Sequence, residues 1–196
     1  HCYAYMFGNC SSLATAPVLP ATTTADSCYM YMFENCTSIT SAPELPSMVA
    51  AQNCYEAMFR GCTGLTECPE LPATTINSSC YYRMFEDCTG IKLPAKLPAT
   101  SLPYNCYQRM FEGCTELDIS EEPTADYAWP YRIPTAGTGV DLGSATMNMF
   151  DDIKPDSPWS GTPEINKTYY LRYKIPEGIY HWNGIKWVLD ADAITD

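Results

Sequence analysis

Apolar positions recur along this chain at a fixed spacing. In one stretch they stand at Cys28, Tyr29, Met32, Phe33 and Cys36, with polar or mixed residues between them. Spacing of i, i+1, i+4, i+5 and i+8 predicts a short helix over 28–34 with a single apolar face. The residue before the first Cys is Ser27, Asn53, Ser79 or Asn105, all good N-caps. The residue before the second Cys is Asn9, Asn35, Gly61, Asp87 or Gly113, types that tolerate the left-handed conformation ending a helix. A helix of about two turns cannot stand alone, since isolated helices need roughly 12–15 residues. Beyond it, Leu13, Ile39, Leu65, Ile91 and Leu117 are expected to point inward. Leu19, Leu45, Leu71 and Leu97 then mark a Pro-rich extended segment. That segment predicts three- or four-residue parallel strands stacked about 4.8 Å apart, with prolines limiting their ladder.

The pattern is a repeat. Cys2, Cys28, Cys54, Cys80 and Cys106 are each 26 residues apart, and so are Cys10, Cys36, Cys62, Cys88 and Cys114. A Met-Phe pair lies between the two series in every unit, as in Met58-Phe59. A fixed period of this length signals a solenoid, whose units bury their apolar faces only against neighbours. A sixth, worn copy is centred on Met149-Phe150, where Ala145 and Ile153 replace the two Cys. A terminal unit that closes the core against water is what a solenoid needs. No matching cap precedes Cys2, so the chain reads as the C-terminal part of something longer. The expected organisation is five repeats over 1–117, a degenerate capping repeat with an insertion over 118–153, a linker over 154–167 and a small tail over 168–196. The tail predicts a three-stranded meander, with Asn183-Gly184 as a hairpin turn between aromatic strands. The predicted fold class is therefore an α/β solenoid: a leucine-rich-repeat-like right-handed coil of short helix plus short parallel strand, ending in a β-hairpin or meander.

The unit Phe-x-x-Cys-x-x-Leu, carried by Phe33, Cys36 and Ile39, Phe59, Cys62 and Leu65, Phe85, Cys88 and Ile91, and Phe111, Cys114 and Leu117, resembles the BspA-type leucine-rich repeats of bacterial surface proteins. With its Cys-Tyr start and Pro-Glu-Leu-Pro segment, it is similar to repeats found in proteins of gut Bacteroidales and their phages. The period of 26 is a few residues longer than is usual in that family. The resemblance implies surface-exposed adhesion or recognition. The Gly-Ile-Tyr-x-Trp-Asn-Gly-x-x-Trp tail is similar to hairpins near the ends of phage tail-fibre proteins.

Composition narrows the function classes. Charged residues are 17% and the net charge is −12, which argues against binding nucleic-acid phosphates or an anionic membrane surface. No run of about 18 apolar residues exists to span a membrane. Eleven cysteines invite a disulfide reading. Two Cys eight residues apart on a helix would be separated by about 12 Å, and a disulfide needs Cα atoms within about 7 Å. Buried free thiols are the favoured reading, with cross pairs such as Cys10 and Cys28 left open. Zinc is not expected, because no Cys-x-x-Cys occurs. No nucleophile elbow, phosphate loop or His-Glu-x-x-His is present, so neither a catalytic site nor a cofactor is expected.

Recognition is expected at positions that vary within the repeat. One outward stripe includes Tyr31, Tyr82, Arg83 and Arg109; a second includes Glu44, Glu70 and Lys96; the tail adds Trp182 and Trp187. The expected function is a non-enzymatic extracellular or cell-surface module that binds proteins or glycans. The alternative is a virion part, a tail-fibre or receptor-binding segment, for which a homotrimer is expected. An enzyme of unknown class is the disfavoured third reading.

Overall fold

The computed structural model describes residues 2–172, 180–182 and 187–189. Nine short strands occur in it: β1 (Val49–Ala50), β2 (Thr75–Ile76), β3 (Ser101–Leu102), β4 (Ile119–Ser120), β5 (Tyr127–Arg132), β6 (Val140–Asp141), β7 (Thr168–Arg172), β8 (Tyr180–Trp182) and β9 (Trp187–Leu189). The described residues contain no helix. The 26-residue repeat is present as stacked coils, numbered here 1 to 5 from Cys2, Cys28, Cys54, Cys80 and Cys106, with a sixth around Phe150. The helix-plus-strand coil expected from the sequence is not what forms each unit.

The predicted helix is a ribbon of overlapping tight turns. In coil 3 the N–H groups of Cys54, Glu56, Met58, Arg60 and Cys62 donate to the carbonyls three residues back. The intervening N–H groups of Asn53, Tyr55, Ala57, Phe59 and Gly61 donate to Ser78, Cys80, Tyr82, Met84 and Glu86 of coil 4, at 2.8–3.2 Å. An α-helix would spend all these donors internally. The turn ribbon gives half of them to the next coil and, in coils 3 to 5, leaves no ribbon donor unpaired, as burial demands.

This arrangement requires a positive φ at every fourth residue. Ser27, Tyr31 and Asn35 carry φ of 54°, 55° and 56°, and Asn53, Ala57 and Gly61 repeat the pattern at 53°, 48° and 70°. Each is the third residue of a turn whose second residue has negative φ, as type II geometry demands. The residues that look like helix caps are thus two of three left-handed positions per ribbon. Gly61 and Gly113 stand at the last of these positions with φ of 70° and 74°, where the Asn35 and Asp87 side chains of the preceding coil lean into the space a Cβ would take.

Stacking identical residues builds the core. Tyr3, Tyr29, Tyr55, Tyr81 and Tyr107 form one column of near-parallel rings, with centroids 5.5–5.9 Å apart. Phe7, Phe33, Phe59, Phe85, Phe111 and Phe150 form another at 5.5–5.8 Å. Offset ring pairs at this distance add about 0.5–1.5 kcal/mol each beyond area burial. The second Cys series braces the Phe column. Cys36, Cys62, Cys88 and Cys114 direct their thiols to the carbonyls of Phe7, Phe33, Phe59 and Phe85 at 2.9–3.1 Å. All eleven Cys are free, and eight are buried. Burial pushes the Cys54 and Cys62 thiols up to about 12, so they remain neutral.

Two further expectations are corrected. The parallel pairs β1–β2 and β3–β6 lie in the return segments before the next ribbon, not in the Pro-rich stretches. No main-chain hydrogen bond joins the Pro-rich segments 66–72 and 92–98, since prolines lack the donor a ladder needs. The three-stranded tail meander is also not formed. Strand β7 lies between β4 and β5 in an antiparallel sheet, pairing Ile119↔Leu171 and Tyr131↔Tyr169. Strands β8 and β9 pair only with each other, and the predicted Asn183-Gly184 turn lies outside the described residues.

The sixth coil continues the ribbon ladder: Tyr107, Arg109 and Phe111 donate to Ala145, Met147 and Met149. There the column ends. Tyr131 and Trp159 meet the Phe150 ring edge-on at 6.0 Å, and an edge-on ring presents no face for another parallel layer. Phe59, fully buried in mid-column, is the most direct probe of this core. Phe59→Ala is expected to cost about 3–5 kcal/mol, measured by denaturant unfolding; an unchanged midpoint would contradict the stacked core.

Candidate functional site

The Pro-rich sides of coils 3 and 4 leave a groove of about 1200 Å³. Missing ladder bonds create it: Leu71 and Leu97 turn inward and anchor each segment, while the polar residues between the prolines face out. Coil 3 contributes Glu67, Cys68 and Glu70; coil 4 contributes Lys92, Leu93 and Lys96. The Cys68 thiol reaches the Leu93 carbonyl at 3.5 Å. Burial pushes this thiol well above its ordinary value, so it stands as a neutral donor to that carbonyl.

One end of the groove is closed by a charged clasp. Asp118 is 6% exposed and receives Lys154 Nζ at 2.7 Å, Tyr127 Oη–H at 2.8 Å and Arg172 Nη1 at 3.4 Å. The Arg172 N–H also donates to the Asp118 carbonyl at 3.0 Å. Coil 5, the insertion and β7 are thereby tied at one carboxylate. Burial alone would raise the Asp118 pKa, but the bonds from Lys154, Tyr127 and Arg172 outweigh it and hold it below the usual value.

Of the second predicted stripe, Glu70 and Lys96 line the groove; Glu44, one coil earlier, is exposed outside it. The first stripe lies on the turn ribbon, and its groups are spent on each other. Tyr31 stacks on Tyr5 at 4.8 Å and donates to Glu56 at 3.1 Å. Arg83 lies 5.0 Å from the centroid of the Tyr82 ring and 3.5 Å from Glu86. Arg109 pairs with Glu112 at 3.0 Å, and Arg60 joins Glu34 and Glu86, both at 3.2 Å. The ribbon stripe is an ion-pair ladder between coils. Trp182 and Trp187 are brought opposite each other by the β8–β9 register. The clasp of Asp118, Tyr127, Lys154 and Arg172 was not apparent in the sequence, because its members lie up to 54 residues apart.

No group of three or more His, Cys, Asp or Glu among the described residues is arranged to hold a metal ion. No helix there is long and apolar enough to cross a membrane.

Asp118 sets a pH signature. A depressed folded pKa contributes stability above the unfolded value of about 3.9 and loses it as pH falls through the folded value. Asp118→Asn is expected to cost about 1–3 kcal/mol at pH 7. The gap to wild type should shrink at pH 3, read by urea unfolding at both pH values; a gap independent of pH would contradict the clasp.

No known protein family, curated protein or solved structure matches this chain.

Proposed function

We propose that this chain is a non-enzymatic recognition module, exposed outside the cell or on its surface, that binds a partner through the Pro-rich side of its coils. The observation that carries this reading is the groove between coils 3 and 4, lined by charged residues at positions that vary from unit to unit. Several features support it. The ribbon ladder and ring columns form a scaffold on which side chains can be exchanged without disturbing the core. Glu44, Glu70 and Lys96 occupy one repeat position with different charges, so the array can write a surface coil by coil. The groove's lining includes no histidine to activate a nucleophile, and its thiol is neutral, which favours binding over group transfer. The resemblance to BspA-type surface repeats points the same way.

The test is a binding survey on peptide and glycan arrays with wild-type protein and the Glu70→Lys/Lys96→Glu variant. Both residues are exposed, so the melting temperature is expected to stay unchanged. A ligand of wild type should lose about tenfold in affinity on the variant, from two surface charge contacts of up to about 1 kcal/mol each. No ligand in either array, or binding indifferent to the substitutions, would contradict the reading.

A further inference from the structure

Nine of the chain's eleven Lys and Arg residues are described; Lys174 and Lys186 fall outside. Seven of the nine are engaged. Arg60, Arg83, Arg109, Lys154, Lys167 and Arg172 form ion pairs, and Arg132 donates to the carbonyls of Pro134, Gly137 and Asn166. Among the described Lys and Arg side chains, Lys92 and Lys96 alone have neither a hydrogen bond nor an ion pair. Both stand on coil 4 in the groove wall. In a chain of net charge −12, two unspent cations on one wall are the exception. Across from them on coil 3, Glu67 and Glu70 are equally unspent. Glu70 and Lys96 hold the same position in neighbouring units, yet do not pair within 4 Å. The groove thus presents an acidic band beside a basic one, each without an internal partner.

The chemistry of the occupant follows from the rest of the lining. No aromatic ring lines the groove, so it lacks the flat apolar platform on which a sugar face would rest. It offers instead prolines and the half-exposed Leu93, while its main chain on coil 4 is largely spent: the Leu93 and Ala95 carbonyls accept from the Cys68 thiol and Tyr131 Oη–H, and Leu97 is bonded to Thr135. An extended peptide laid across the two coils fits such a surface through its alternate side chains, which can meet the acidic and the basic band in turn. Its side chains at i and i+2 share a face and lie roughly 6.5–7 Å apart, close to the 5.8 Å between the Phe59 and Phe85 rings of the same two coils.

We propose that this groove binds an extended peptide lying across coils 3 and 4, with a basic side chain over Glu67 and Glu70 and an acidic one, two residues away, over Lys92 and Lys96. This deepens the recognition reading and rests on it. The probes are four fluorescein-labelled Thr-rich heptapeptides, in which Thr favours the extended state. Their central residues are Lys-Thr-Asp, Lys-Thr-Lys, Asp-Thr-Asp, and Lys-Asp with no spacer. Anisotropy titration at low salt is expected to rank Lys-Thr-Asp first, by about fivefold over each of the others. The Lys92→Glu/Lys96→Glu variant, with circular dichroism and melting temperature as in wild type, should turn both bands acidic and make Lys-Thr-Lys the preferred peptide. Lys167→Glu, outside the groove, should leave the ranking unchanged. Equal binding of the four peptides, or a ranking that survives the double substitution, overturns the proposal. Glycan-array binding that the double substitution abolishes, with no peptide bound, overturns the peptide assignment and leaves the recognition reading standing. Failure of both ligand classes overturns the two together.

Discussion

The alternation of backbone donors in the turn ribbon is the constraint on which the rest depends. Every second N–H closes a turn within its own coil, and the others reach the next coil, as the bonds of Tyr55, Ala57 and Phe59 show. The chain must bend with a period of four residues to do this. It therefore holds Tyr31, Ala57, Arg83 and Arg109 in the left-handed region, at about 1–2 kcal/mol per residue. The ladder and the ring columns offset that strain in each unit. Because the bonds run between equivalent residues, they also place equivalent side chains above one another. The Tyr and Phe columns, the thiols on Phe carbonyls and the charge bands of the groove all follow from this register.

Much of the repeat was legible in the sequence, and the element type was not. The period of 26, the inward Met-Phe pairs and the sixth coil around Phe150 all come from spacing that stacking preserves. The helix does not form because the apolar pattern of Cys28, Tyr29, Met32, Phe33 and Cys36 suits a period of four as well as one of 3.6. Ser27 and Asn35 are residue types shared by helix caps and left-handed turns. The decisive third position, Tyr31 or Arg83, carries no turn signal at all. Only contacts with the next coil impose its conformation, an instance of tertiary structure overriding local propensity.

The candidate site divides along the same line. Glu70 and Lys96 were accessible to sequence reasoning because they vary at one repeat position. Tyr31, Arg83 and Arg109 satisfied the same criterion but are spent on Glu56, Glu86 and Glu112. Variation within a repeat marks surface, and the partners decide whether that surface is free. Prolines shape the remainder. By removing the ladder between segments 66–72 and 92–98, they leave a side of the coils where Glu67, Glu70, Lys92 and Lys96 of neighbouring units remain unpaired.

The central claim is that residue 83 and its equivalents occupy left-handed turns between hydrogen-bonded coils. It is tested most directly by comparing Arg83→Ala with Arg83→Gly in denaturant unfolding. Both variants lose the same ion pair, so their difference reports the backbone alone. A left-handed φ of 56° at this position predicts that the glycine variant is the more stable by about 1 kcal/mol. A helical ribbon would make the alanine variant more stable by about the same amount, and that result would contradict the account.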